Sequence, residues 1–571
     1  MDNTYKLKKF VGIMLFIHLA QLFEKLEHTS SSNQMQQLLA GFFKTADDVD
    51  KICYLTLGTI ASPYDDVNLG MAEQMVIKSI AEAFGVAERN VTTDFKKLGD
   101  LGAVAEKECS VKKQTITVHG VFSSLHNIAS AQGAGSQNRK VMLLAALLKK
   151  ATPVESKFIV RIALGTLRMG VGEMTLLNAL AIAFTHDKKN KEILEQAYNV
   201  CPDVGIIAAT LVKGLSSIKK IQPVVGRPIK VMLAQRAKSV AEIMKRMPLA
   251  AAEEKYDGER VQIHKKGKKI WLFSRRMETI TQQYPDIAAA VQKLHGNFII
   301  EGEIVAVDAR GMHDFQTLMQ RRRKHDVEHF VKHVPVAVFL FDLLFKERSY
   351  LAEPWNKRQD ALKHLIGKET PIFKYAKYIL TERIDDVEQF FSECLERGTE
   401  GIIAKSVDGV YQAGTRGYNW IKWKPEYAKN LRDTFDLVVV GGFSGKGKRA
   451  GTYGALLCAC YNPIGDRFET FCKLGSGFKD KELDELPLLL KKYVVRKPAR
   501  VIVHKNMKPD VWFDPRIVVE VTGAEITRSS LHTAAENDGV GLALRFPRFL
   551  RYRTDKKAEQ ATTTKEIKKM A

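Results

Sequence analysis

"EEKYDGERVQIHKK", residues 253–266, sets Lys255 two positions ahead of an Asp-Gly pair and then alternates polar and apolar residues. The alternation predicts a strand, with Lys255 at its mouth among Glu253, Glu254, Asp257 and Arg260. At pH 7 an unperturbed lysine is neutral in only about one molecule in two thousand. A lysine nucleophile therefore needs neighbouring positive charge, a metal ion or partial desolvation. Carboxylates alone push the other way. The offset must come from Arg260 and from a divalent cation held by the acids, and a metal-bound nucleotide would bring that cation together with an electrophile. K-x-D-G by itself is a weak pattern, because four residues recur by chance.

Its companions raise its weight. "NFIIEGEIVAV", 297–307, places Glu301 and Glu303 on one face of a strand, where two acids are costly unless they bind something. "TEGIIAKS", 399–406, offers Glu400 at the start of another strand. "NWIKWKPEY", 419–427, puts Trp420, Lys422 and Lys424 on one strand face and Ile421 and Trp423 on the other. The second pair can fill a core while the lysines converge on a phosphate. Taken singly, each segment also reads as a strand with solvated charges. Taken together, in this order, that reading fails.

The 571 residues suffice for about three or four domains. With 27% charged and 45% apolar residues the balance is globular, and the net charge of +23 points to a polyanion, nucleic acid or an anionic membrane surface. Seven scattered cysteines form no C-x-x-C pair, which argues against zinc and disulfide frameworks and for a reducing cytoplasm. "KLKKFVGIMLFIHLAQLF", 6–23, imitates an export signal, but His18, Gln21 and the lack of a small-x-small site favour a buried first helix. No segment is apolar for long enough to span a membrane.

Residues 1–222 read as helical, and two prolines and a glycine mark a linker near 222–230. Strands and helices mix over 228–428, short strands over 429–555 suggest a small barrel, and 556–571 form a basic, frayed tail. Within the helical part "GAGSQNRK", 133–140, opens a basic helix; its backbone N–H groups suit a phosphate, or it is an ordinary capped helix.

"EEKYDGER", "FSRRMETIT", "FIIEGEIVAV", "FQTLMQRRRK", "EGIIAKS", "NWIKWK" and "ALRFPRFLRYRTDK" resemble, in order and spacing, the motifs of ATP-dependent DNA ligases of the archaeal and eukaryotic type. "LFEKLEHTSS", "GAGSQNRK" and "LRMGVGEMTLLNALA" resemble that family's N-terminal region, so the likeness covers nearly the whole chain. It implies an all-α DNA-binding domain, an α+β nucleotidyltransferase (adenylation) domain and an all-β OB-fold barrel. Lys255 would attack the α-phosphate of ATP, release pyrophosphate and hold AMP. Glu253 would read the adenine amino group and Phe341 would stack on the base. Arg260, Arg275 and Glu303 would hold ribose and phosphate, and Arg416, Lys422 and Lys424 would complete the nucleotide contacts. Asp257, Glu303 and Glu400 are the candidates for Mg²⁺, with Glu400 foremost. Arg545, Arg548 and Lys556 would orient pyrophosphate. Arg139, Lys140 and Arg168 are candidate contacts to nicked duplex DNA, and the enzyme is expected to act as a monomer in a prokaryotic cytoplasm, near the nucleoid, with no membrane partner.

The same K-x-D-G core serves RNA ligases and mRNA capping enzymes, but the long helical region and the "RFPRFLRYRTDK" ending oppose capping. NAD-dependent ligases use a four-cysteine zinc site that these cysteines cannot build. A non-catalytic nick-binding scaffold would need a damaged site, and every motif residue is present. In "QQLLAGFF", 36–43, Gln36, Leu39, Phe42 and Phe43 match a sliding-clamp docking pattern, yet they also fit a buried helix face, the reading favoured here.

Overall fold

The computed structural model describes residues 14–570 apart from 114, 168, 186, 309–310, 314, 323–326, 425–433, 446–451 and 524, and leaves out the side chains of 322, 327–329, 480, 481, 483, 484 and 525. Two compact units emerge, 1–86 with 105–428 and 87–104 with 429–571.

The first unit opens with helices. In α1 (Phe16–Glu27) Phe16, Leu19, Ala20, Phe23 and Leu26 recur at three- and four-residue spacing and are fully buried, and Phe23 meets Phe158 edge-on at 5.4 Å. This is the interior helix its sequence predicts. In α2 (Ser32–Phe43) the Ser31 hydroxyl caps the first turn by accepting from the Gln34 N–H, and the helix packs on α3 (Glu173–Thr185). Gln36, Leu39 and Phe43 are buried and Phe42 is half-buried. The buried-face reading holds for Gln36, Leu39 and Phe43, and a clamp could reach those three only by unpacking the bundle. No described helix is long and apolar enough to cross a membrane.

The central region is built on two sheets. A five-stranded sheet runs in the order β1 (Leu233–Arg236), β9 (Arg416–Trp423), β8 (Gly401–Ser406), β2 (Ala250–Lys255), β7 (Tyr378–Thr381). The other is built on β4 (Lys269–Ser274), β3 (Glu259–Lys266), β5 (Phe298–Asp308) and β6 (Val336–Lys346), with three shorter strands. Strand alternation sorts the residues. On β5, Ile300, Ile304 and Ala306 join an outer core with Val261, Ile263 and Val338, while Ile299 and Val305 join a layer with Phe341, Leu344, Tyr411 and Trp420, which draws on both sheets. On the five-stranded sheet Ala250, Ala252, Ile402, Ala404 and Ile421 pack with the helix Ile384–Glu396. Glu253, Lys255, Lys405, Trp420 and Lys422 therefore share the opposite face, and Arg260, Gln262, Glu301 and Glu303 share a face across from it. The site lies between those faces.

The segment before β1 is irregular yet fixed. Ile229 donates its N–H to Gln262 Oε1 and accepts from Gln262 Nε2, and the Gly226 N–H donates to His264 Nδ1. Burial pulls the His264 pKa down to about 3, so the ring is neutral and its other nitrogen donates to Gln262.

The second unit is β-rich, with strands such as Phe435–Ser444, Tyr453–Asn462 and Arg467–Leu474 paired antiparallel. The stretch "RIVVEVTGAEI", 516–526, has the β-branched composition of a single strand but contributes to two: Val518–Thr522 and Glu525–Ser529 belong to different sheets. A Cβ on Gly523 would lie 2.5 Å from Leu544 side-chain atoms, so only glycine fits the break. The frayed tail is also corrected. Thr564–Met570 is a helix whose Ile567 is fully buried in the core with Phe435 and Phe471, and the Thr562 N–H donates to the Asp436 carbonyl.

Candidate active site

Lys255 ends β2, and the β2–β8 pairing carries Glu400 to it: the Glu400 N–H donates to the Lys255 carbonyl at 2.8 Å, and its carboxylate contacts both Lys255 Nζ and Lys424 Nζ. The glycine of K-x-D-G is a matter of space. A Cβ on Gly258 would stand 2.2 Å from the Ile304 carbonyl oxygen and 2.9 Å from Glu303 Cγ, so the chain could not press against β5 with any other residue.

Acids crowd one side of Lys255. Burial, with a hydrogen bond to Glu400 and its repulsion, pushes Asp257 up to about 6. Burial also pushes Glu303 up to about 7, with Glu400 and Asp257 adding to it and Lys255 and Arg260 opposing. Burial alone would raise Glu400, yet Lys255, Asp257 and Lys424 hold it at about 2. Cations gather around Lys422. Lys422 falls to about 8 through burial and repulsion from Lys255, Arg236, Lys424 and Arg275. Among the described residues no three acidic, histidine or cysteine side chains converge closely enough to enclose a metal ion. The seven cysteines are free and buried.

Glu301 and Glu303 do share a strand face, but their fates differ. Glu301 is fully buried and accepts from Arg260 (2.8 Å), Gln262 (3.1 Å) and the Tyr411 hydroxyl (2.9 Å). Tyr411 in turn accepts the Met232 N–H at 2.9 Å, and Arg260 donates to the Met232 carbonyl at 2.8 Å. Arg260 is thus clamped, with its guanidinium 5.3 Å from the Phe341 ring and 5.2 Å from Trp420. Its Nε is buried and finds no acceptor among the described residues.

Phe341 sits at a bulge: Glu301 pairs with Asp342 and Gly302 with Leu340, skipping it. Its carbonyl accepts from Gln359 at 2.7 Å and Lys405 at 3.4 Å. Asp342 and Arg358, both wholly buried, form a two-pronged pair at 2.7 and 3.1 Å beside it. Glu253 pairs with Lys405 at 2.6 Å, and its second oxygen has no donor among the described residues.

Arg275 follows β4 and Arg416 opens β9, both exposed. In the second unit Arg545 and Arg548 lie exposed on Val540–Arg545 and Arg548–Tyr552, and Lys556 pairs with Asp436 at 2.6 Å. Arg139 is exposed in the first turn of the helix Ser136–Leu148, while Lys140 donates to the Leu69 carbonyl at 2.7 Å. Arg168 lies outside the described residues. Sequence reasoning missed Arg236, Lys405 and Tyr411. Lys405 had a signal, since alternation in "EGIIAKS" puts a lysine opposite the apolar Ile402 and Ala404. Tyr411, on a loop, had none.

A lysine at a strand end between two sheets, with carboxylates and further cations gathered near it, is what a nucleotidyltransferase site requires. Residues 231–424 match the sequence profile described as "ATP dependent DNA ligase domain", 15–181 that of "DNA ligase N terminus" and 449–556 that of "ATP dependent DNA ligase C terminal region". The chain is 45% identical to DNA ligase 1 of Methanosarcina acetivorans, over 97% of this chain and 98% of that one. It is 44% identical to the DNA ligase of Sulfophobococcus zilligii, over 97% and 96%. A solved structure, "Pmar-Lig_Pre.", shares the fold at TM-score 0.56 and 19% identity, over 94% of this chain and 99% of that one. The chain belongs to the ATP-dependent DNA ligase family, which seals nicks in DNA through an adenylate intermediate.

Proposed function

We propose that Lys255 is the residue that carries AMP, and that the cleft between the two sheets binds ATP. Its amine, once deprotonated, attacks the α-phosphorus; an N–P bond forms, the bond to the β-phosphate oxygen breaks, and pyrophosphate leaves. AMP then moves to the 5′-phosphate of a nick, where a 3′-hydroxyl expels it. The observation that carries this reading is the cluster of Lys255, Lys424, Arg236 and Arg275 around Lys422, which can neutralise a triphosphate and the charge built up at transfer. Two buried atoms find no partner among the described residues and fit the same ligand: Glu253 Oε2 suits an adenine amino group, and Arg260 Nε suits a ribose or phosphate oxygen.

Asp257, Glu303 and Glu400 do not close a cage among themselves, and would hold Mg²⁺ only together with oxygens of the triphosphate. The fit rests on their chemistry, hard oxygen donors of which burial, with the neighbouring acids adding to it, raises the first two. Held there, the ion would supply charge neutralisation to the triphosphate. Glu400 contacts both lysines, and its release from Lys255 would free the amine to lose its proton.

Arg545, Arg548 and Lys556 would serve pyrophosphate departure, with Lys556 first leaving Asp436. Arg139, Lys140 and Arg168 would touch the duplex backbone, so binding weakens steeply with salt. The chain would act as a monomer in a prokaryotic cell, close to its DNA. A pre-adenylated nick tests the division of labour. Lys255→Ala should seal it while failing on an ordinary nick with ATP; equal sealing of both, or of neither, contradicts the assignment.

A further inference from the structure

Lys405 on β8 and Glu253 on β2 face into the cleft, 2.6 Å apart, with Lys405 0% and Glu253 2% exposed. Lys405 Nζ stands 4.7 Å from the ring centroids of both Phe341 and Trp420, and it also donates to the Phe341 carbonyl. One carboxylate oxygen of Glu253 is thereby used, and the other is a buried acceptor with no donor among the described residues. An ionised carboxylate can only accept hydrogen bonds; a protonated one can also donate.

We propose that Lys405 sets the base specificity of the nucleotide pocket, by holding Glu253 ionised so that it admits a purine with an amino group at position six and rejects one with a carbonyl there. The proposal rests on the reading that Glu253 meets the base edge. Three charged groups face Glu253 besides solvent-free carbon: Lys405 from β8 and Arg260 from β3 favour its charge, and Asp342 from β6, itself paired with Arg358, opposes it. Burial pushes Glu253 up to about 7 even with Lys405 and Arg260 pulling it down, so with Lys405 in place the carboxylate form prevails above pH 7. Without that counter-charge the carboxyl takes a proton, because an unpaired charge is not tolerated in such a site. The resulting O–H can donate to the six-carbonyl of guanine. A polar site built for one partner rejects the wrong one by about 10⁴-fold, so losing the distinction is a large effect.

The test is covalent labelling of the full chain at pH 8 with ATP or GTP in Mg²⁺, read as intact mass, with kcat/KM for each nucleotide. Wild type should form the AMP adduct and discriminate against GTP. Lys405→Met should lower the ATP:GTP ratio at least about 30-fold. Glu253→Gln, which turns an amide N–H₂ where the free oxygen stood and keeps Lys405, should lower it at least as far and does not depend on tolerance of the first change. If both variants lose ATP and GTP labelling in proportion, the Lys405 assignment is overturned. If wild type carries no nucleotide on Lys255 at all, the reading of the site falls instead.

Discussion

Asp342–Arg358 and Lys255–Glu400 are both ion pairs of the central region, and both lie near the proposed nucleotide cleft. The first is wholly buried, two-pronged and locked further, since Arg358 also donates to the carbonyls of Glu353 and Gly409. The second is one side of a three-way contact with Lys424, its members 14% to 24% exposed, and it holds two more acids in a protonation state that is easily changed. Every donor in the first has one partner geometry. The second has spare partners and water access, so it can be rearranged by a ligand at little cost. A rigid polar frame thus surrounds a small set of groups left free to exchange partners, which is what a site that handles three successive phosphoryl transfers needs.

Breaking the frame should cost most. Arg358→Ala strands a buried Asp342 and should destabilise the fold by about 3–5 kcal/mol, seen in denaturant melts. An equal loss from Lys424→Ala would erase the contrast between the two pairs. The frame also has a pH signature. His264 titrates near 3 when folded but near 6.5 as a free side chain, so between those values the unfolded chain binds the extra proton. Stability from this group is therefore full above about 6.5 and falls by about 1.4 kcal/mol per pH unit toward 3. His264→Gln should flatten that part of the profile in melts from pH 7 to 4; a parallel profile would contradict the buried neutral ring. Tyr411→Phe is subtler. It leaves the Met232 N–H unpaired and loosens Arg260, at about 1–2 kcal/mol, so labelling of Lys255 by ATP should slow about tenfold while the melting transition moves little.

The distinction between frame and working site was only half legible in the sequence. Alternation placed Glu301 with Glu303 and Trp420 with Lys422, because a two-residue period holds where a strand runs without a bulge, as β5 does against β3 and β9 against β8. It could not say that Glu301 would be consumed by Arg260 and Tyr411, since Tyr411 comes from 110 positions away. "QQLLAGFF" had the letters of a docking motif, but which face of α2 meets the bundle is decided by α3, not by the helix. The tail misled for the opposite reason: a single apolar residue, Ile567, anchors seven residues of helix, too little to register as a pattern. "RIVVEVTGAEI" broke at a glycine because Leu544, from a later strand, occupies the space a side chain would need.

The most direct measurement is intact mass followed by peptide mapping of the full chain after ATP and Mg²⁺, for wild type and Lys255→Ala. One AMP per chain, mapped to Lys255 and missing from the variant, is the result expected. AMP on the variant, or on another lysine of the cleft such as Lys422 in the wild type, would contradict it.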